Sequence, residues 1–266
     1  ITLAATANNG RIIEEPIPGG IVSPKGKLIY IIALVIGIGI PISIIYLLNL
    51  LRFRIEGHTD VEKLTTVPII GDIPLTDAGK NGTPTIAVRE NDNNIMAETF
   101  RSLRTNLLFI MGDPDKKVIL VTSTISGEGK TFMASNLAVS LALLGKKVIL
   151  VGLDIRKPGL NKIFHLSHKE KGITQYLAAP QSTDLHALIQ PSGITSNLDL
   201  LLGGPIPPNP TELLARQSLE DTISTLRKEY DYIVLDTAPI GMVTDTLILS
   251  RVADASIYVC RAAVSY

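Results

Sequence analysis

The chain has 266 residues, and its 25 Lys+Arg are matched by 25 Asp+Glu, for a formal charge of zero. That balance supplies no basic excess of the kind that tracks a nucleic-acid backbone, so nucleic acid is not an expected partner. A single cysteine excludes an internal disulfide, and the place of Cys260 in the apolar run Ser256-Ile-Tyr-Val-Cys predicts a buried core thiol. The chain starts at Ile1 and stops at Tyr266 inside what reads as a strand-to-loop passage, so it is expected to be a piece of a longer protein.

Residues 1–27 contain Pro16, Pro18, Gly19, Gly20 and Pro24 and read as an extended, extracytoplasmic juxtamembrane connection; Glu14 and Glu15 there read as solvated linker. Residues 28–51 carry no charge. As a helix this stretch reaches about 36 Å, more than the roughly 30 Å hydrocarbon core of a bilayer, and it predicts a transmembrane helix. A cleaved leader is a poorer reading, because the stretch is too long and a polar segment precedes it. Pro41 is expected to kink it, which a membrane helix tolerates. Lys25 and Lys27 before the span balance Arg52 and Arg54 after it, so flanking charge leaves the orientation open. The phosphate-binding loop described below follows the span, and nucleoside triphosphate is abundant in the cytoplasm. Residues 52–266 are therefore expected on that side.

Residues 52–94 read as a cytoplasmic linker: a short apolar piece, Val67-Pro-Ile-Ile-Gly-Asp-Ile-Pro74, then a polar run from Asp77 to Asn94. From Ile95 the pattern changes. Met96, Phe100, Leu103, Leu107 and Met111 recur at helical spacing, with Glu98 and Arg101 on the opposite face and Arg104 at its border. Strands are then predicted at 118–122, 148–152, 198–202, 232–236 and 257–260, and helices at 131–144 and 211–230. Apolar strands alternating with helices predict an α/β fold with a central, mostly parallel sheet covered on both faces, occupying residues 95–266.

The strongest chemical signal is Val118-Ile-Leu-Val-Thr-Ser-Thr-Ile-Ser-Gly-Glu-Gly-Lys-Thr131. It is a variant P-loop, with Thr124 at the place of the first glycine. Gly127 and Gly129 let backbone N–H groups approach phosphate oxygens, and the helix beginning at Lys130 adds its positive end. Ser126, Gly127, Glu128, Gly129, Lys130 and Thr131 are the expected phosphate-binding residues, with the Lys130 ammonium on the β- and γ-phosphates and the Thr131 hydroxyl on Mg²⁺. Two further strands deliver carboxylates to the same edge: Asp236, in Tyr232-Ile-Val-Leu-Asp-Thr-Ala-Pro239, and Asp154, in Val148-Ile-Leu-Val-Gly-Leu-Asp-Ile-Arg-Lys-Pro158. Lys130, Asp154 and Asp236 are the candidate catalytic residues, and Thr131, Asp154 and Asp236 the candidate metal ligands. Arg156 and Lys157 lie near enough to bear on phosphate or partner charge. His58, His165, His168 and His186 show no metal-ligand spacing.

These residues resemble the bacterial tyrosine kinases fused to a chain-length regulator of capsular or exopolysaccharide export. The resemblance extends over nearly the whole chain, through Asp60-Val-Glu-Lys-Leu, Glu98-Thr-Phe-Arg-Ser-Leu-Arg-Thr-Asn106, the variant P-loop, Asp154-Ile-Arg-Lys-Pro and Gly204-Pro-Ile-Pro-Pro-Asn-Pro-Thr-Glu-Leu-Leu214. It implies a P-loop kinase of the bacterial inner membrane that uses ATP and Mg²⁺. It further implies a homo-oligomeric ring built through Glu98, Arg101 and Arg104, phosphorylation of a neighbour's tyrosine tail, and work alongside polysaccharide polymerisation and export machinery. Three departures stand out: Gly152 replaces the first aspartate of the family's Asp-x-Asp, Ser126 replaces a proline, and no tyrosine cluster precedes Tyr266. Asp154 alone is then the expected base for the phenol. Two rivals remain, a septum-site or partition-type membrane ATPase and a structural regulator gated by ATP without kinase activity. Against the former, Ile125 stands where those ATPases carry a signature lysine.

Overall fold

The computed structural model describes residues 26–51 (side chains 26–48), 55, 57–74, 85–90, 94–166, 171–262 and 264. The expectations for Glu14, Glu15, the N-terminal prolines, Lys25, Arg52, Arg54, His168, most of the polar run from Asp77 to Asn94, and Tyr266 lie outside those residues. The chain divides into two units, Ile1–Phe53 and Arg54–Tyr266.

The first unit contains α1 (Gly26–Leu51), which continues through Pro41. Its side chains from Leu28 to Leu48 are uncharged, nearly all apolar, and exposed on every side. Among the described residues it is the one helix long and apolar enough to cross a membrane.

The second unit opens with a short helix, α2 (His58–Leu64). The helix α3 (Ile95–Met111) starts where the Asn94 side chain accepts from the Ala97 N–H, and it ends at Gly112 in the left-handed conformation. Such caps satisfy end groups the helix itself leaves unpaired. The face of α3 predicted from spacing, Met96 to Met111, is buried.

From β1 onward strands alternate with covering helices, except that the third strand runs on to the fourth with no helix between them. The order is β1 (Val118–Ser123), α4 (Lys130–Ala142), β2 (Val148–Gly152), α5 (Leu160–Ile163), α6 (Ile173–Ala178), β3 (Ile189–Pro191), β4 (Leu198–Leu201), α7 (Pro210–Leu214), α8 (Gln217–Glu229), β5 (Tyr232–Asp236), α9 (Asp245–Leu249) and β6 (Ala255–Val259). The six strands lie in the order β3-β4-β2-β5-β1-β6. All pairs are parallel except β3 with β4, an antiparallel edge that the sequence reading missed because its strand is only three residues long. Alternate side chains along each strand face opposite sides. Ile119, Val121, Leu150 and Val234 pack under α3, α4 and α5. Leu120, Ile149, Val151 and Leu235 pack under the helices on the other face. The helix predicted over 211–230 is two helices, α7 and α8, broken at Ala215 and Arg216.

Cys260 is exposed, contrary to the expectation of a buried thiol. It sits one residue beyond the end of β6 at Val259, where the sheet no longer covers it.

Helix α4 lies against the middle of the sheet and is buried along almost its whole length. It also carries a polar anchor. The fully buried Asn136 accepts at Oδ1 from the N–H groups of Ala87 (2.7 Å) and Val88 (3.1 Å). The segment before α3, whose Ile86 and Val88 side chains pack into the core, is thus also fixed there by one amide side chain. Asn136→Ala strands two backbone donors, each worth roughly 1–3 kcal/mol when buried without a partner. Urea denaturation is expected to show a loss of about 2–4 kcal/mol, with faster amide exchange at Val88 than elsewhere; an unchanged midpoint would remove the anchor.

Candidate nucleotide-phosphate site

The parallel register of β2, β5 and β1 sets the site. Gly152 pairs with Asp236, and Val121 also pairs with Asp236, so the three strands end together at one edge of the sheet. Beyond β1 the chain turns through Thr124–Gly129 into α4. Gly127 and Gly129 adopt φ values of 95° and 99°. Space is not the reason for glycine here, since a Cβ at either position would meet nothing within 4 Å. The positive φ itself is the reason, because it turns successive N–H groups toward the concave side of the loop.

Side chains hold the loop's shape. The Ser123 hydroxyl donates to the Ile125 carbonyl (2.8 Å), and the Ile125 N–H donates to Glu128 Oε2 (2.8 Å). Glu128 is buried, whereas Ser126, Gly127 and Gly129 are exposed at the rim. The far flank of the loop is tied to the end of β6. Thr124 Oγ1 and the Tyr258 hydroxyl are 2.6 Å apart, and Arg261 donates to the Gly127 carbonyl (2.9 Å). Sequence reading missed Tyr258 and Arg261, because nothing local marks a side chain that reaches a loop more than a hundred residues away.

At the other flank Lys130 and Asp154 form a buried ion pair, Nζ to Oδ2 at 2.8 Å, with side chains 9% and 5% exposed. Asp154 is held on two further sides. Its own N–H and that of Leu153 donate to the Asp236 carbonyl (2.9 and 2.8 Å), and its Oδ1 accepts from the Lys157 N–H (3.0 Å). Asp236 is 1% exposed, and its Oδ1 has no hydrogen-bond partner among the described residues. Burial pushes its carboxyl up, Lys130 pulls it down, Asp154 pushes it up again, and a hydrogen bond from Thr131 pulls it down; the result is about 7.

The structure therefore brings together Thr131, Lys130, Asp154 and Asp236 beside the glycine loop. Glu98, Arg101 and Arg104 are elsewhere. Glu98 and Arg101 pair with each other along α3. Arg104 donates to the Ser140 carbonyl (2.6 Å), near the end of α4 remote from the loop. Gly152, where the family pattern has an aspartate, is crowded: a Cβ there would sit 3.1 Å from both Gly203 N and Leu160 Cδ1.

The donor set fits a magnesium nucleotide. Mg²⁺ prefers one or two carboxylates with phosphate oxygens and water, not a dedicated protein cage. A hydroxyl at Thr131 and an orphaned buried oxygen at Asp236 match that need, and among the described residues there is no group of three or more His, Cys, Asp or Glu that could hold a different metal. The fold and the site define a P-loop nucleotide-binding α/β domain.

Comparison with known proteins agrees with that class and narrows it. Residues 116–261 match the AAA_31 family of AAA domains. The putative tyrosine-protein kinase EpsB of Ralstonia nicotianae is 31% identical over 97% of this chain and 35% of its own length. The tyrosine-protein kinase YwqD of Bacillus subtilis is 39% identical over 62% of this chain and 68% of its own. The solved BceF tyrosine kinase domain superposes with a TM-score of 0.70 at 30% identity, over 80% of this chain and 89% of that one. The chain belongs to the bacterial tyrosine-kinase family. It spans little more than a third of the length of relatives such as EpsB.

The buried Asp236 carboxyl makes stability depend on pH. Its folded value near 7 lies above the ordinary value of about 4, so the folded state holds the extra proton between them. Stability of the ligand-free chain then falls as pH rises through that window. Asp236→Asn is expected to be the more stable form at pH 8, by on the order of 2–4 kcal/mol, with the difference shrinking toward pH 4. Thermal melts across that range check this, and a wild type at least as stable as the variant at pH 8 contradicts it.

Proposed function

We propose that this chain is the membrane-proximal and catalytic part of an ATP-dependent protein-tyrosine kinase. The observation that carries the reading is the convergence of Lys130, Asp154 and the orphaned Asp236 oxygen beside Thr131 at the mouth of the glycine loop. Membership of the tyrosine-kinase family supports tyrosine as the acceptor.

In this reading the loop N–H groups and Lys130 bind the triphosphate, with Ser126, Gly127, Glu128 and Gly129 forming the cradle. Thr131 Oγ1 and Asp236 Oδ1 would hold Mg²⁺, which supplies charge neutralisation at the phosphate oxygens when bound. The phenol oxygen of the acceptor bonds to the γ-phosphorus as the bond to the bridging oxygen breaks, and ADP leaves with that electron pair. Asp154 orients the phenol and takes its proton. A tyrosine is neutral near pH 7, its ordinary pKa being about 10, so some group must accept that proton. Phosphoryl-transfer transition states are loose, and positioning with charge neutralisation supplies most of the rate. Lys130 must leave Asp154 to meet the phosphates, which frees a carboxylate oxygen at the moment it is needed.

The wider reading follows the same family. Residues 1–27 lie outside the cytoplasm, 28–51 cross the inner membrane, 52–94 form a linker, and 95–266 form the kinase domain. Subunits assemble in a ring through Glu98, Arg101 and Arg104, phosphorylate one another, and act with polysaccharide polymerisation and export machinery. YwqD is named a tyrosine-protein kinase and EpsB a putative one, which favours the kinase over an ATPase or an inactive regulator.

Full chain in lipid, given Mg²⁺ and γ-labelled ATP, is expected to place label on tyrosine. Lys130→Met should lower that transfer at least about a hundredfold, the cost of losing a charge partner of the transferring group. Free phosphate without phosphotyrosine makes the chain an ATPase; undiminished transfer in the variant moves the active site elsewhere.

A further inference from the structure

Asp245 is a buried carboxylate that the transfer step does not use. It is 1% exposed and opens α9, nine residues after Asp236. Both of its oxygens are occupied. Arg156 Nε donates to Oδ2 (2.7 Å) and Arg156 Nη2 to Oδ1 (3.0 Å). Thr211, in the first turn of α7, closes the figure: its hydroxyl accepts from Arg156 Nη2 (2.8 Å) and donates to Asp245 Oδ1 (2.9 Å). Three segments, each following a different parallel strand, meet at this one carboxylate.

The position of Arg156 gives the triangle its meaning. It lies two residues after Asp154, inside the turn closed by the Lys157 N–H on Asp154 Oδ1. The turn is thus fixed at one end by the Asp236 carbonyl and in its middle by Arg156 on Asp245. Asp154 has one oxygen on Lys130 and the other on Lys157 N. When Lys130 turns to phosphate, the first tie is lost, and the turn alone holds the carboxylate. A planar guanidinium gripped at two oxygens resists rotation in a way that a single contact does not. Stability alone is a weak reason for such a pair, since the Arg156 side chain is 37% exposed and ion pairs open to solvent contribute little.

We propose that Arg156 is a positioning residue, anchored by Asp245 and Thr211, that holds Asp154 in place for proton acceptance during transfer. This rests on the kinase reading above. It also gives the Asn209-Pro-Thr-Glu212 block a role at the site: through Thr211 it braces the turn that carries the base.

The test uses full chain in lipid with Mg·ADP or Mg·ATP. Three variants are compared: Arg156→Lys, which keeps the charge and loses the fork, Thr211→Val, and Thr211→Ser. The Lys157 amide reports directly on the orientation of Asp154, so its hydrogen exchange is read beside kcat and KM. Thr211→Val is expected to speed Lys157 exchange and to lower kcat, each about fivefold or more, with KM for ATP within about twofold. Thr211→Ser should restore both, and Arg156→Lys should exceed Thr211→Val in both. If Arg156→Lys fails to fold, the Thr211 pair decides. Unchanged kcat and unchanged Lys157 protection, with only a lower melting temperature, reduce the triangle to a structural brace and overturn the proposal. A wild type that labels no tyrosine sinks the kinase reading separately, and Lys157 exchange then decides on positioning by itself.

Discussion

A lysine ammonium and two carboxylates cannot be buried together unless their charges meet. In this chain they do, through Lys130 on Asp154, and much of the domain serves that meeting. The register of β2 against β5 sets Asp154 beside Asp236, and α4 delivers Lys130 from the neighbouring strand. Two acids facing one base leave an excess negative charge in a dry place. Without a bound cation that excess is relieved by the proton that Asp236 keeps near neutrality. The ligand-free site therefore holds one more acid than its lysine can balance.

The same logic explains why so many contacts at this edge are made by backbone. The Asp236 carbonyl accepts from two successive N–H groups, and Lys157 N–H meets Asp154. Peptide groups carry no net charge, so they fix carboxylates without adding to an already crowded electrostatic balance. Side chains enter where reach is needed, as with Arg261 crossing to the Gly127 carbonyl.

Much of this was legible in the sequence. The alternation of apolar runs with helical stripes gave the parallel sheet, and the P-loop with Asp154 and Asp236 gave the candidate residues that the fold gathers at one edge, because each signal is local. What escaped was long-range or depended on ends. Asn136, mid-helix, shows no sign that it will serve Ala87 and Val88. Asp245 looks like an ordinary helix-opening acid until Arg156, 89 residues away, is found on it. Cys260 followed the apolar pattern of β6 yet fell just past its last covered residue. The short antiparallel strand Ile189–Pro191 lacks the length that periodicity requires.

Gly152 and the chain leaving β4 meet backbone to backbone, with a Cβ on Gly203 only 3.2 Å from the Gly152 carbonyl. That contact bears on which substitutions the position accepts. Glycine and aspartate are one base change apart, so a second acid at this place is close at hand in the genetic code. In the folded chain it meets resistance, because a Cβ there comes within 3.1 Å of the Gly203 backbone and of the end of the Leu160 side chain. An acid at Gly152 would need the Gly203 backbone to give by a few tenths of an ångström, so the tolerance of the turn after β4 decides whether that single base change is accepted.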